Sequence, residues 1–284
     1  MDLGRVGVWW SGSWQATDEP TVDVAKELED LGYTALWSSG GFSPGLSTRF
    51  ERLLGATSTM TVASGIVSMW TISPEEVSGA FADLDARYPG RFLLGLGASH
   101  AAVVGDYSRP YAHMVTYLDG LDAAGVVPQE RRVLAALGPR MLALAADRAT
   151  GAHPYFVPVE HTARARRALG AGPLLAPEVT VALEPDPARA RALARTFTSG
   201  YLTLPNYTNN LRTLGFSDED LEGGGSDRLV DAIVGWGDLD AVASRVRAHL
   251  EAGADHVCLQ MLSTGRESFP LAEYRRLASA VVTD

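Results

Sequence analysis

Lysine and cysteine are almost missing from this chain, and each shortage removes a class of chemistry. Cys258 is the only cysteine among 284 residues, which excludes an intrachain disulfide and a thiolate zinc cluster. Lys26 is the only lysine. It sits in a helical pattern and not after a glycine loop, so Walker-type phosphate binding is absent and Schiff-base chemistry is disfavoured. No apolar run is long enough to span a bilayer, and no basic-then-apolar leader opens the sequence; the expectation is a soluble, cytoplasmic chain with no membrane partner. The 24 basic residues are scattered along the length and give a net charge of −10, which argues against a nucleic-acid surface. No histidine pair has metal-ligand spacing and no carboxylate cluster accompanies one, so no metal is expected. A Ser-His-Asp triad is not read from the sequence.

What is present is a repeating unit of helix, glycine and buried strand. It appears as ELEDLGYTALW (Glu27–Trp37), DLDARYPGRFLLGLG (Asp83–Gly97) and HLEAGADHVCLQML (His249–Leu262). Each glycine falls where a helix stops in a left-handed residue. Ser73-Pro74-Glu75-Glu76 combines an N-cap, a first-turn proline and a capping-box glutamate. Eight strands are expected near 5–10, 34–39, 61–68, 91–97, 132–137, 154–158, 178–184 and 256–262. Apolar runs without polar alternation read as strands buried on both faces, the habit of parallel sheets. Eight such strands alternating with helices predict a single (β/α)8 TIM barrel over residues 1–284. An excursion from Gly200 to Asp227 reads as an insertion between strands seven and eight. The rival is an open Rossmann sheet, weakened because the first strand ends in WWSGSW where a G-x-G-x-x-G turn would stand.

In a barrel, function sits at the C-terminal strand ends. Arg132–Leu137 stops at Gly138-Pro139 and enters a helical stretch, Arg140–Arg148. Proline fits the first helical position, and the free N–H groups of that turn form an anion site with the helix dipole. Gly138-Pro139 therefore reads as a phosphate-binding turn, with an ordinary strand-to-helix connection as the alternative. Trp9, Trp10, Trp14, Trp37 and Trp70, five of the six tryptophans, fall at the ends of the first three strands. They suggest a wall for a flat aromatic ligand, or else core filling. Gly65 inside the third strand marks a bulge or a close backbone approach. His100 follows strand four directly and is the best-placed titratable group; His161 follows strand six. Trp10, Trp37, Trp70 and His161 are the expected substrate-pocket residues. His153 and His256 open their strands, on the stability face, and His113 and His249 fall on helices.

These segments, in their order and spacing, resemble the luciferase-like monooxygenase superfamily, in the branch of actinobacterial oxidoreductases that use the deazaflavin coenzyme F-420. The resemblance rests on TALWSSG, SGIVSMWTISPEE, YPGRFLLGLGASH, VLAALGPRMLALAADRATGAHPY and AGADHVCLQML, and covers nearly the whole length. It implies a (β/α)8 barrel with a deazaflavin or flavin ring over the strand ends. Gly65-Ile66 matches the place where relatives carry a non-proline cis peptide that supports the ring. Gly97, Ala98, Ser99 and His100 match the ring-lining loop, and Ser39 lies at the end of strand two. Ala136, Leu137, Gly138 and Pro139 match the phosphate turn, with Arg140 adding charge there or facing solvent. Two departures stand out. Ser38-Ser39-Gly40-Gly41 occupies the place of an Asp-His pair, and His100 stands where relatives have an acidic residue. His100 is accordingly the expected catalytic residue, giving a proton to the substrate heteroatom or taking one from it. Three functions follow: a coenzyme F-420-dependent oxidoreductase moving a hydride to or from a small organic substrate, an FMN-dependent monooxygenase or reductase, or a non-catalytic cofactor-binding subunit. The resemblance also implies a homodimer.

Overall fold

Short strands with strict in–out alternation build the architecture. The computed structural model describes residues 3–10, 19–39, 46–101, 104–105, 107–263 and 269–282. The strands are β1 (Val6–Trp10), β2 (Ala35–Ser38), β3 (Thr61–Ser64), β4 (Val67–Ser68), β5 (Phe92–Gly97), β6 (Arg132–Leu134), β7 (Gly151–Ala152), β8 (Leu174–Leu175), β9 (Glu178–Ala182), β10 (Gly235–Trp236) and β11 (Val257–Met261). They pair in the order β10-β9-β11-β1-β2-β3-β5-β6-β7-β8, with β4 against β5, and every pairing is parallel. The two arms of this curled sheet meet through one run of chain. Residues 174–175 pair with β7, and their continuation 178–182 pairs with β11. The expected (β/α)8 architecture is thus present as an open, strongly curled parallel sheet with flanking helices, its ladder interrupted between β8 and β9.

Alternation sorts the side chains into two layers. Trp9, Ala35, Trp37, Ala63, Leu93, Val133, Ala176 and Cys258 form the interior. Val8, Trp10, Leu36, Val62, Leu94, Val257 and Leu259 face the helices. The helix Pro74–Arg87 begins with the capping box read from the sequence, Ser73 and Glu76 each accepting from the other's backbone N–H.

Several elements differ from expectation, among them the unexpected β8. The third strand is split at Gly65-Ile66 into β3 and β4. The sixth strand is Gly151–Ala152 in place of 154–158. A Cβ on Gly151 would lie 1.9 Å from the Leu174 carbonyl oxygen, so β7 and β8 approach at a residue without a side chain. Pro154 and Pro158 could not donate to a ladder in any case. The insertion expected over 200–227 contains the helices Pro205–Thr213 and Asp218–Leu221, and it is followed by the helix Asp227–Ile233 and the unexpected β10.

Trp37 forms the barrel floor. It is fully buried, stacks on His153 with ring centroids 4.3 Å apart, and donates from Nε1 to His256 Nε2 at 3.1 Å. His256 in turn donates from Nδ1 to the Gly4 carbonyl at 2.9 Å. Glu178, also buried, accepts from the Phe156 N–H at 3.3 Å and from the Thr180 hydroxyl.

Burial pushes the Glu178 carboxyl from 4.5 up to about 7. Below the unfolded value both states hold the proton and this carboxyl is harmless. As pH rises towards 7 only the unfolded chain ionises, so this contribution to stability is lost. Glu178→Gln is expected to gain roughly 2 kcal/mol relative to wild type between pH 5 and pH 8. Urea unfolding at the two pH values measures this, and a difference that does not change with pH would refute it.

Candidate active site

A cavity of about 460 Å³ lies at the C-terminal ends of the strands. Its wall comes from Trp9 of β1, Ser39 after β2, Gly65 and Ile66 between β3 and β4, Ala98–His100 after β5, Ala135–Leu137 after β6, and His153 and Tyr155 after β7. Tyr107, Pro110 and Met141 add to it, as do Tyr201, Leu204, Asn206 and Tyr207 from the helix before the insertion and the insertion itself. The Gly65–Ile66 peptide bond is cis. Gly97 explains how Ile66 reaches the cavity: a Cβ at 97 would meet Ile66 Cγ1 at 2.7 Å.

Of the residues expected from the sequence, Ser39, Gly65, Ile66, Ala98, Ser99, His100, Ala136 and Leu137 come together on this wall. Gly97 lies behind Ile66. Gly138, Pro139 and Arg140 are exposed at the start of the helix Pro139–Arg148, next to the wall residues Leu137 and Met141. Gly138 is the N-cap and offers no side-chain cap, while the Arg140 guanidinium lies over the Tyr111 ring at 4.2 Å.

The four expected substrate-pocket residues do not reach the cavity. Trp10 points outward to Phe269, centroids 4.6 Å apart, because its neighbour Trp9 takes the inward position. Trp37 lies beneath His153. Trp70 stacks on His113 at 4.1 Å and donates from Nε1 to the Ala98 carbonyl at 2.7 Å, so it braces the loop after β5 from behind. His161 is buried, and its Nε2 bonds to the Leu137 carbonyl at 3.0 Å, bracing the loop after β6. Trp14, Gly40 and Gly41 lie outside the described residues.

His153, expected on the opposite face, lines the cavity because β7 ends one residue before it. Its Nδ1 donates to the Ala176 carbonyl at 2.7 Å. Tyr155 donates to Gln260 Oε1 at 2.8 Å and meets the Tyr201 hydroxyl at 2.9 Å. His100 Nδ1 bonds to Asn206 Oδ1 at 3.0 Å. An amide oxygen only accepts, so the neutral ring carries its hydrogen on Nδ1 and keeps Nε2 as an acceptor. Burial draws the His100 pKa below its ordinary value, with the Asn206 bond opposing.

Three buried polar atoms on wall residues have no hydrogen-bond partner among the described residues: Trp9 Nε1, Ser99 Oγ and His153 Nε2. Buried polar groups are normally paired, so this set marks where a ligand's polar atoms belong. The surrounding wall is largely apolar, and an uncapped helix start lies beside it. Such a combination fits a flat heteroaromatic ring carrying a phosphorylated tail. Among the described residues no group of His, Cys, Asp or Glu could hold a metal ion, and no helix is long and apolar enough to cross a membrane.

Residues 10–256 match the family model described as luciferase-like monooxygenase. An 89-residue stretch is 33% identical to the uncharacterized protein YceB of Bacillus subtilis, spanning 29% of this chain and 27% of that one. Among solved structures, the fold resembles an F-420-dependent secondary alcohol dehydrogenase in complex with an F-420–acetone adduct (14% identity, TM-score 0.73, 99% of each chain covered). It also resembles the coenzyme F-420-dependent tetrahydromethanopterin reductase of Methanopyrus kandleri (15% identity, TM-score 0.66, 99% of this chain and 97% of that one). A third likeness is to the oxygenating constituent of 3,6-diketocamphane monooxygenase from Pseudomonas putida, in complex with FMN (14% identity, TM-score 0.67, 98% and 96% covered). At these identities the structural likeness establishes the fold alone.

Proposed function

The chain belongs to the luciferase-like monooxygenase family, and from that premise we propose that it is an oxidoreductase using coenzyme F-420 to move a hydride to or from a small organic substrate. The observation that carries this reading is one cavity holding both His100, fixed by Asn206, and three unpartnered buried polar atoms. A deazaflavin, when bound, supplies two-electron hydride transfer. The protein's own part is orientation, exclusion of water and control of one proton. Ser39, Gly65, Ile66, Ala98, Ser99, Ala136 and Leu137 wall the ring site, and Gly97 makes room for Ile66. Gly138, Pro139 and Arg140 hold the phosphate at the helix start. His100 Nε2 takes the proton from the substrate heteroatom in one direction and returns it in the other, while Asn206 holds the imidazole in place. Tyr201, Leu204 and Tyr207 close the site against solvent.

FMN is the alternative cofactor, because the same wall and helix start suit a flavin ring and its phosphate. Titrating the purified protein with coenzyme F-420 and FMN side by side separates the two. A non-catalytic cofactor-binding subunit is the remaining alternative, and turnover of any substrate removes it.

Three outcomes are expected. His100→Ala lowers turnover by about a hundredfold and changes coenzyme affinity by less than about tenfold, since one neutral hydrogen bond contributes roughly 1 kcal/mol. Steady-state kinetics with a binding titration checks this, and lost affinity at unaltered turnover would make His100 a binding residue only. Gly138→Asp folds normally, because nothing lies within 4 Å of a Cβ there and aspartate is a good N-cap. Its carboxylate occupies the N–H groups meant for phosphate, so coenzyme affinity falls more than about tenfold; unchanged affinity would remove the phosphate turn. Finally, the protein is expected to be a two-fold homodimer, and light scattering that returns a monomer mass would contradict this.

A further inference from the structure

Two of the unpartnered atoms lie together and are of opposite kind. A carbonyl only accepts, so the bond from His153 to Ala176 places the ring hydrogen on Nδ1 and leaves Nε2 as a bare acceptor. His153 is 2% exposed, lies flat on Trp37, and is held neutral by burial, which draws its pKa down to about 4. Trp9 is 7% exposed, and its Nε1 can only donate. Gly65 shows that the two atoms border the same space. A Cβ there would lie 2.7 Å from Trp9 Nε1 and 3.4 Å from His153 Nε2. A side chain at 65 would crowd both atoms, and the two atoms do not bond to each other.

We propose that Trp9 and His153 together recognise the edge of an imide ring, Trp9 Nε1–H donating to a ring carbonyl and His153 Nε2 accepting from the adjacent ring N–H. The proposal rests on the cofactor reading above, because flavins and deazaflavins share this edge: a C4 carbonyl beside N3–H. It does not depend on which of the two is bound. An anionic group suits this position poorly, since the lone pair of His153 would face its negative charge. The imide leaves neither atom unmet, and it assigns two of the cavity's three unpartnered buried polar atoms to cofactor recognition. The half-buried His100 and Asn206 are then left to the substrate.

The test uses ring compounds that lack phosphate, so that the helix start plays no part. Riboflavin and its 8-hydroxy-5-deaza counterpart are each titrated against their N3-methyl derivatives by fluorescence. Wild type should prefer the N3–H ring by about tenfold or more, because methylation removes the donor and leaves the His153 acceptor unmet. His153→Ala should reduce that preference to less than about twofold. Trp9→Phe should weaken both members of a pair by about five- to tenfold and leave the preference intact. Equal wild-type affinity for parent and methylated rings overturns the proposal and needs no variant to fold, and so does a preference that survives in folded His153→Ala. These results leave the cofactor reading standing. Failure of coenzyme F-420, FMN and both parent rings to bind overturns the cofactor reading itself, and this proposal with it.

Discussion

The hydrogen bond from His153 Nδ1 to the Ala176 carbonyl joins the closure of the barrel to the chemistry of its cavity. Ala176 lies at the gap between β8 and β9, where the chain stops pairing with β7 and begins pairing with β11. Its own N–H donates to Ala152 at 2.9 Å. The residue that completes the curled sheet therefore also fixes the tautomer of a cavity-lining histidine. Trp37 supports that histidine from below, and Trp37 is in turn oriented by His256, whose Nδ1–H is taken by the Gly4 carbonyl. His113, His153, His161 and His256 each have one ring nitrogen bonded to a backbone carbonyl, so main-chain geometry sets the tautomers of these four. Displacing the run 174–182 would move His153 and its free lone pair together.

A second dependence runs through the insertion. Tyr201 and Tyr207 pack against Phe156, with centroids 5.1 and 5.3 Å apart, and Phe197 lies 4.8 Å from Tyr201. Aromatic pairs of this kind contribute about 0.5–1.5 kcal/mol each beyond their buried area. They seat the inserted helices on the strand ends at a defined height. Asn206, one residue before Tyr207, can then reach His100 on the loop after β5. The same cluster thus closes one side of the cavity and sets the orientation of its most accessible histidine.

Much of the barrel was legible because its signals are local. Apolar runs marked most strands, the Ser73 capping box marked a helix start, and Gly65 marked a bulge or close approach in the third strand. Most of the expected ring-lining residues follow directly from those strand ends. The side each residue faces was less legible. Both faces of a parallel strand are buried, so Trp9 and Trp10 carry the same hydrophobic signal, and only the alternation fixed by β11 and β2 sends Trp9 inward. The two-residue strand Gly151–Ala152 is too short to show a pattern, and the apolar residues just after it drew the sixth strand too far along the chain. That shift moved His153 to the wrong end of the barrel. Asn206 and the tyrosines of the excursion gave no signal, because their role depends on contacts with residues far away in sequence.

Electrostatics ties these parts together. His153 and His161 are drawn down to about 4 and His249 to about 3, all by burial, so the interior histidines are uncharged near neutrality. The wall of the cavity is likewise without a buried ion pair among the described residues, although the chain as a whole carries a net charge of −10. A charge inside such a site would be strongly felt, because there is little water or counter-charge to offset it. The Arg140 guanidinium lies outside over Tyr111, and the positive character beside the cavity comes from the free backbone N–H groups in the first turn of the helix Pro139–Arg148, which cannot be titrated away. On the proposed reading, neutral donors and acceptors at depth, fixed dipoles at the helix start and a half-buried imidazole at His100 keep binding separate from proton movement. A chain with one lysine and no acidic residue on the described cavity wall has few other ways to do so.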